Sequence, residues 1–170
     1  MNVIIRRMTV EDVSAVVELD QKSFSLPWPE RSFRFELTDN PASRCWVADL
    51  DGRIVGMIVI WLIVDEAHVA TVATDPEYRR QGIGKRLLSH ALRSLIHEGA
   101  RSSFLEVRES NIPAQELYRK FGYEQTGRRR RYYRDNDEDA ILMNLDSLTA
   151  EHLTLDEGHP PMGKDEQQER

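Results

Sequence analysis

A glycine-rich turn set between a strand and an amphipathic helix constrains this chain more than any other feature. Ala67–Thr74 reads as a strand closed by Asp75-Pro76. Further on, Leu87, Leu88, Ala91, Leu92, Leu95 and Ile96 share one helix face, and Gly99 ends that helix. Between the two stands Arg79-Arg80-Gln81-Gly82-Ile83-Gly84. Glycines there let a ligand approach the backbone, while the helix start offers free N–H groups and the positive end of its dipole. Both suit a phosphate, and Arg79 and Arg80 add charge. A P-loop is excluded, because Gly82 and Gly84 stand too close and Lys85 is followed by Arg86. A dinucleotide fingerprint fits poorly, since Leu87 occupies the third glycine position.

The flanking pattern places this unit in a layered domain. Val3–Met8 reads as a strand, and Thr9 with Asp12 as a capping box with Asp in place of Glu. Val13, Val16 and Val17 carry a helix towards Phe24, and a second helix runs from Pro29, at its first position, to Leu37. Trp46-Val-Ala, Asp51-Gly52 and Ile54–Val64 form a hairpin pattern. Phe104–Val107 reads as a strand, Asn111–Phe121 as a helix, and Tyr123–Gln125, Arg130–Tyr133 and Ala140–Leu145 as closing strands. The order predicts an α/β (α+β) domain with a mixed sheet, and 170 residues suit a single core. We expect the domain to span residues 1–147, and residues 148–170 to be an acidic tail whose last fifteen or so positions lack order.

Charge and composition exclude several classes. The net charge is −6, but residues 151–170 carry six acids against Lys164 and Arg170, so the body is nearly neutral. That argues against a nucleic-acid binder, and the run Arg128–Arg131 is read as a solvated strand or loop face. The tail is read as solubilising, with a basic partner as the alternative. No run of about 18 apolar residues suggests a membrane span, and the N-terminus lacks a secretory pattern. Cytoplasmic localisation is therefore expected. Cys45, the single cysteine, is read as a small buried hydrophobe. His68, His90, His97, His152 and His159 lack ligand spacing, so no metal is expected.

Several blocks carry a family resemblance. They are Asp65-Glu-Ala, Thr74-Asp-Pro-Glu-Tyr-Arg-Arg-Gln-Gly-Ile-Gly, Leu105-Glu-Val-Arg-Glu-Ser-Asn, Leu117-Tyr-Arg-Lys-Phe-Gly-Tyr, and Arg131-Tyr-Tyr followed by Glu138-Asp-Ala. The glycine turn also matches an Arg/Gln-x-x-Gly-x-Gly/Ala loop. With these blocks the chain resembles the RimI branch of the GNAT acetyltransferases, and Leu26-Pro27-Trp28 resembles that branch's Phe-Pro-Trp with Leu26 replacing Phe. The resemblance implies a GNAT fold, with a mostly antiparallel sheet flanked by helices and acetyl-CoA in a cleft between central strands. It implies that the pyrophosphate lies on the N–H groups of Arg79, Arg80, Gln81, Gly82, Ile83 and Gly84, and the pantetheine arm beside Val72, Ala73 and Thr74. Asn111 would bind the same arm, or act as a plain helix cap.

The same resemblance implies Glu106 as general base, directly or through water, and Tyr118 as the acid for the departing thiolate. Partial burial in Phe104-Leu-Glu-Val107 would raise the Glu106 pKa, and a solvent-facing carboxylate is the alternative. For Tyr118 the alternative is a core tyrosine. Pro27 and Trp28 would form one wall of the acceptor groove and Tyr132 and Tyr133 the other, with ordinary packing as the alternative. The implied acceptor is the N-terminal amine of an Ala- or Ser-starting protein, in particular a small-subunit ribosomal protein. A lysine side chain or small amine, or a non-catalytic acyl-CoA-binding module, are the competing readings; the presence of both Glu106 and Tyr118 argues against the last.

Overall fold

Alternation in the sequence becomes alternation in space from the first strand, β1 (Val3–Arg7), where Val3 and Ile5 turn inward. The computed structural model describes residues 2–150 and Leu153. The expected disorder of the acidic tail falls outside the described residues. The Thr9 N–H donates to the Asp12 carboxylate at 2.8 Å, opening a 3-10 turn that runs into α1 (Val13–Ser23). Arg6 grips the same carboxylate with two 2.8 Å bonds, which hold its pKa below the usual range. In α2 (Glu30–Thr38), Pro29 is the extended N-cap rather than the first helical residue.

The hairpin of β2 (Ser43–Leu50) and β3 (Arg53–Ile63) turns at Asp51 and Gly52, whose φ values of 50° and 93° are left-handed as a two-residue turn requires. Next come β4 (Glu66–Thr74), α3 (Ile83–His97), β5 (Ser102–Arg108), α4 (Ile112–Lys120), β6 (Glu124–Arg129) and β7 (Ala140–Leu145). The strands form one sheet in the order β1-β2-β3-β4-β5-β7-β6, antiparallel at every pair except β4–β5. This is the mixed, mostly antiparallel sheet expected.

Arg130–Tyr133 is not a strand, contrary to expectation. β6 stops at Arg129, and Arg131 adopts a left-handed φ of 51° that breaks the extended run. Its N–H donates to Asp139 Oδ1 at 3.0 Å, and that of Tyr133 to the Glu138 carbonyl at 3.1 Å. Loop contacts thus take the donors that a ladder would have used.

Two cores sit on the two sheet faces. Ile58, Ile60, Leu87, Leu88, Leu92, Leu105, Val107, Tyr118 and Phe121 pack on the α3–α4 face. Val13, Val16, Leu19, Phe33, Met57 and Val59 pack on the α1–α2 face, together with Cys45, whose burial pushes its thiol pKa up. Leu148 and Leu153 are buried in the first core, and the Leu148 N–H donates to the Arg101 carbonyl at 2.8 Å. The packed body therefore continues past Ser147.

Close approach of α3 to the sheet depends on Gly56. A Cβ there would lie 2.9 Å from Ile83 Cγ2, 2.9 Å from Leu87 Cδ1 and 3.3 Å from Ala48 Cβ. Gly56→Ala should therefore destabilise by about 1–3 kcal/mol, read as a lower Tm in thermal denaturation. A second test concerns His90 on α3, whose ring meets Trp46 edge-on at 5.7 Å. Burial lowers its pKa from 6.5 to about 4, and Arg93, Arg7 and Arg86 push the same way. The unfolded chain thus takes up this proton first, so its contribution to stability is present above pH 6.5 and lost as pH falls towards about 4. Urea midpoints should fall over that window, and His90→Gln should flatten the decline.

Candidate active site

β4 and β5 pair in parallel at Glu66–Ser102, Ala67–Ser103 and His68–Phe104. Beyond His68 and Phe104 they part, although β4 continues to Thr74 and β5 to Arg108. Each stays anchored on its outer side, β4 to β3 and β5 to β7. The facing peptide groups are left without a strand partner, as at a sheet edge. The β3–β4 register also shifts there, since Ile60 pairs with Val69 and Val59 with Thr71, leaving Ala70 as a bulge. The gap suits an extended arm that carries its own amides.

Val72, Ala73 and Thr74 line the end of β4, where Ala73 is buried and its neighbours are half-buried. The Arg79 Nε donates to the Thr74 carbonyl at 3.4 Å, tying the turn to the strand. Arg80 (φ 66°) and Gly82 (φ 81°) are both left-handed, and Gly82 caps α3. Left-handed residues among right-handed ones gather successive N–H groups into an anion-binding concavity. Gln81 is exposed, whereas the Ile83 side chain is core, so only the backbone of Ile83 is available to a ligand. A Cβ on Gly84 would meet Thr74 Oγ1 at 3.6 Å and Leu117 Cδ2 at 3.8 Å, ordinary contacts. Protein packing therefore does not demand a glycine at that position. Asn111 caps α4 by accepting from the Ala114 N–H at 3.2 Å, which leaves its side-chain NH₂ available.

Glu106 and Tyr118 belong to opposite faces of the sheet. Glu106 alternates with the core residues Leu105 and Val107 and so faces the α1–α2 side, while Tyr118 packs in the α3–α4 core. The partial burial expected of Glu106 is not found. It is exposed and accepts from Arg129 Nε at 3.2 Å, because its strand partners send only alternate residues into the core, and its charge pushes the Tyr132 pKa up. Tyr118 is buried, which pushes its phenol pKa well up, and Tyr133 adds to the effect. Tyr133 is itself pushed up to about 12, chiefly by burial; Arg108 opposes this, and Glu106 reinforces it. Tyr133 is thus the ring electrostatically coupled to both candidates.

Arg108 was not singled out from the sequence as a site residue, yet it organises this region. Its guanidinium lies 3.9 Å from the Tyr133 ring centre. It donates to Asp135 Oδ1 at 3.0 Å, Glu138 Oε1 at 3.3 Å and Ser25 Oγ at 3.5 Å. Ser25 also donates to Asp135. The α1–α2 loop, with exposed Pro27 and half-buried Trp28, is thereby joined to the β6–β7 loop that carries Tyr132 and Tyr133. The rings of those two tyrosines meet edge-to-face at 5.2 Å. The Trp28 ring packs on Phe33 at 5.2 Å, and its backbone N–H donates to the buried Asp20 carboxylate at 2.7 Å, so it serves packing as well. The available signal was that Arg108 lies two residues from Glu106 on the same strand face. In the arginine run, Arg128 pairs with Glu109 and Asp139, as a solvated strand face allows.

Comparison with known proteins gives the class. The acetyltransferase (GNAT) family model matches residues 13–123, and the chain belongs to that family. It is an acetyl-CoA-dependent N-acetyltransferase, of the branch that contains the ribosomal-protein alanine N-acetyltransferases. It is 42% identical over 139 residues to a putative ribosomal protein bS18-alanine N-acetyltransferase of Bacillus subtilis, covering 82% of this chain and 92% of the relative. The corresponding Escherichia coli enzyme is 33% identical over 152 residues, with 83% and 95% covered. Its crystal structure superposes with a TM-score of 0.79 at 31% identity, covering 87% of this chain and 96% of that one. Ard1 from Thermoplasma volcanium gives a TM-score of 0.80 at 26% identity, with 88% and 100% covered.

Arg108 yields a structural prediction. Arg108→Ala should release the β6–β7 loop, so that amides of residues 131–138 exchange hydrogen several-fold faster while those of β3 are unchanged.

Proposed function

We propose that this chain transfers the acetyl group of acetyl-CoA to the N-terminal α-amine of a protein, an Ala- or Ser-starting ribosomal protein of the small subunit, in the cytoplasm. The observation that carries this reading is the gap between β4 and β5, with Glu106 and Tyr118 on opposite sides of the sheet. The two bonded loops add to it, because they give the Glu106 face room and polar walls for a peptide end. The names of the Bacillus and Escherichia relatives support the choice of acceptor. In this reading residues 1–147 are the catalytic domain, and Leu148 and Leu153 of the acidic segment that follows pack into its core.

In this reading the pyrophosphate rests on the backbone of Arg79, Arg80, Gln81, Gly82, Ile83 and Gly84. The pantetheine arm lies along Val72, Ala73 and Thr74, with Asn111 donating to it. An α-ammonium group has a pKa of about 7.7–8.0, so a modest base is sufficient to free it. Glu106 takes the proton, directly or through one water, once Arg129 gives way. The amine nitrogen then attacks the thioester carbonyl carbon, the C–S bond breaks, and Tyr118 protonates the thiolate. Burial keeps the Tyr118 phenol protonated at neutral pH, so the proton is present to be given, although the same upward shift makes it a weaker acid towards the thiolate. Pro27 and Trp28 on one side, and Tyr132 and Tyr133 on the other, hold the peptide backbone.

CoA release should be followed with acetyl-CoA and peptides differing only at residue one, beside an N-blocked peptide with a free lysine. We expect turnover of Ala and Ser starts; turnover of the blocked lysine peptide alone would overturn the acceptor assignment. Glu106→Gln and Tyr118→Phe should each lower kcat by about 10²–10⁴ while leaving acetyl-CoA affinity unchanged. Unchanged kcat in either variant would remove that residue from the mechanism.

A further inference from the structure

A cleft of about 400 Å³ opens between α2 and β3, lined by Trp28, Arg31, Ser32, Phe35, Glu36 and Trp61. Its composition is unusual for a packing defect. Phe35 is 50% exposed on α2, whereas Glu36 is only 8% exposed. The buried carboxylate accepts from Asn40 Nδ2 at 2.8 Å and from Trp61 Nε1 at 3.0 Å. Both donors are neutral, and both bond the same oxygen. Three aromatic rings around a buried carboxylate make the recognition chemistry of a guanidinium or ammonium group, through ring faces and a charge-assisted hydrogen bond. Arg31 also lines the cleft, but it is exposed, so water screens its charge far more than that of Glu36.

The cleft lies on the same side of the sheet as Glu106. Trp61 pairs with His68 in register, and His68 with Phe104, giving a row of side chains across β3, β4 and β5. The His68 and Phe104 rings stack at 5.1 Å. Glu106 follows two residues after Phe104 on the same side of its strand. Two strand spacings across and one pleat repeat along put Trp61 roughly 12 Å from Glu106, which an extended chain spans in about four residues.

We propose that this cleft is a subsite for a basic side chain, arginine or lysine, of the acceptor chain, carried about four residues beyond the acetylated amine. The placement rests on the acceptor reading above. Glu36 bonds the cation at the floor, and Trp28, Phe35 and Trp61 enclose it.

The test uses the intact protein and N-acetylated peptides, which bind without being acceptors. One series carries arginine at successive positions from two to five, and a matched series carries citrulline, which keeps the shape and loses the charge. Binding is read from tryptophan fluorescence, since Trp28 and Trp61 line the cleft while Trp46 is buried elsewhere. Arginine near position four should bind at least about fivefold more tightly than citrulline, and Glu36→Gln should erase that difference without weakening the citrulline peptide. Phe35→Ala, at an exposed position, should weaken the arginine peptide about threefold and serves as the second variant if Glu36→Gln folds poorly. Equal affinity for the two series, a preference surviving Glu36→Gln, or a preference confined to position two would each overturn the proposal. Failure of every free peptide to accept acetyl would remove the acceptor reading, while the blocked-peptide comparison would still decide whether the cleft takes a cation.

Discussion

Three pairs of residues hold β4 and β5 together before the strands diverge, and much of the molecule is arranged around that divergence. A split sheet would ordinarily be weak, because peptide groups facing a gap lose their partners. Here each strand keeps a full antiparallel neighbour on its other side. The molecule is therefore two sheet halves hinged at a short parallel seam, with α3 and α4 on one side and α1 and α2 on the other. The Ala70 bulge falls just beyond the seam, at the start of the opening.

The elements that build this frame were legible because they obey simple periods. Leu88, Leu92 and Leu95 are spaced for one helix face, Asp51-Gly52 can make the left-handed turn, and Thr9 with Asp12 closes a helix start. Legibility failed where side chains override the local pattern. Arg130–Tyr133 looks extended, but Asp139 and the Glu138 carbonyl capture its amides. Burial of Glu106 was inferred from its apolar neighbours, yet Leu105 and Val107 point the opposite way, and alternation leaves the carboxylate outside. The bulge was hidden for a related reason: Ala67-His-Val-Ala-Thr-Val-Ala73 is apolar enough on both faces to mask a change of parity. Arg108 escaped notice because its partners, Ser25 and Asp135, are distant in sequence and meet only in the fold.

The two sides of the candidate site are built from different materials. The turn at residues 79–84 offers mainly backbone, which is insensitive to side-chain substitution except where φ is positive. The opposite side is made of loops joined through Arg108, Asp135, Glu138 and Ser25, and its Glu106 is engaged by Arg129. Partly exposed ion pairs contribute little stability singly, but they set the position of the tyrosines. On the proposed placement, the turn therefore offers a generic hold for the cofactor, and the other side is adjustable residue by residue.

The left-handed Arg80 and Gly82 have a consequence for turnover. On the proposed placement, their concavity grips a pyrophosphate that acetyl-CoA and free CoA share. Affinity gained there strengthens substrate and product alike, so it is uniform binding and cannot itself speed the chemical step. A firm hold on phosphate therefore slows departure of the spent carrier. Discrimination between loaded and unloaded carrier falls to the far end of the gap, where the acetyl group alone differs. Once the two carriers together saturate the site, an enzyme built this way responds to the ratio of acetyl-CoA to CoA rather than to either concentration by itself.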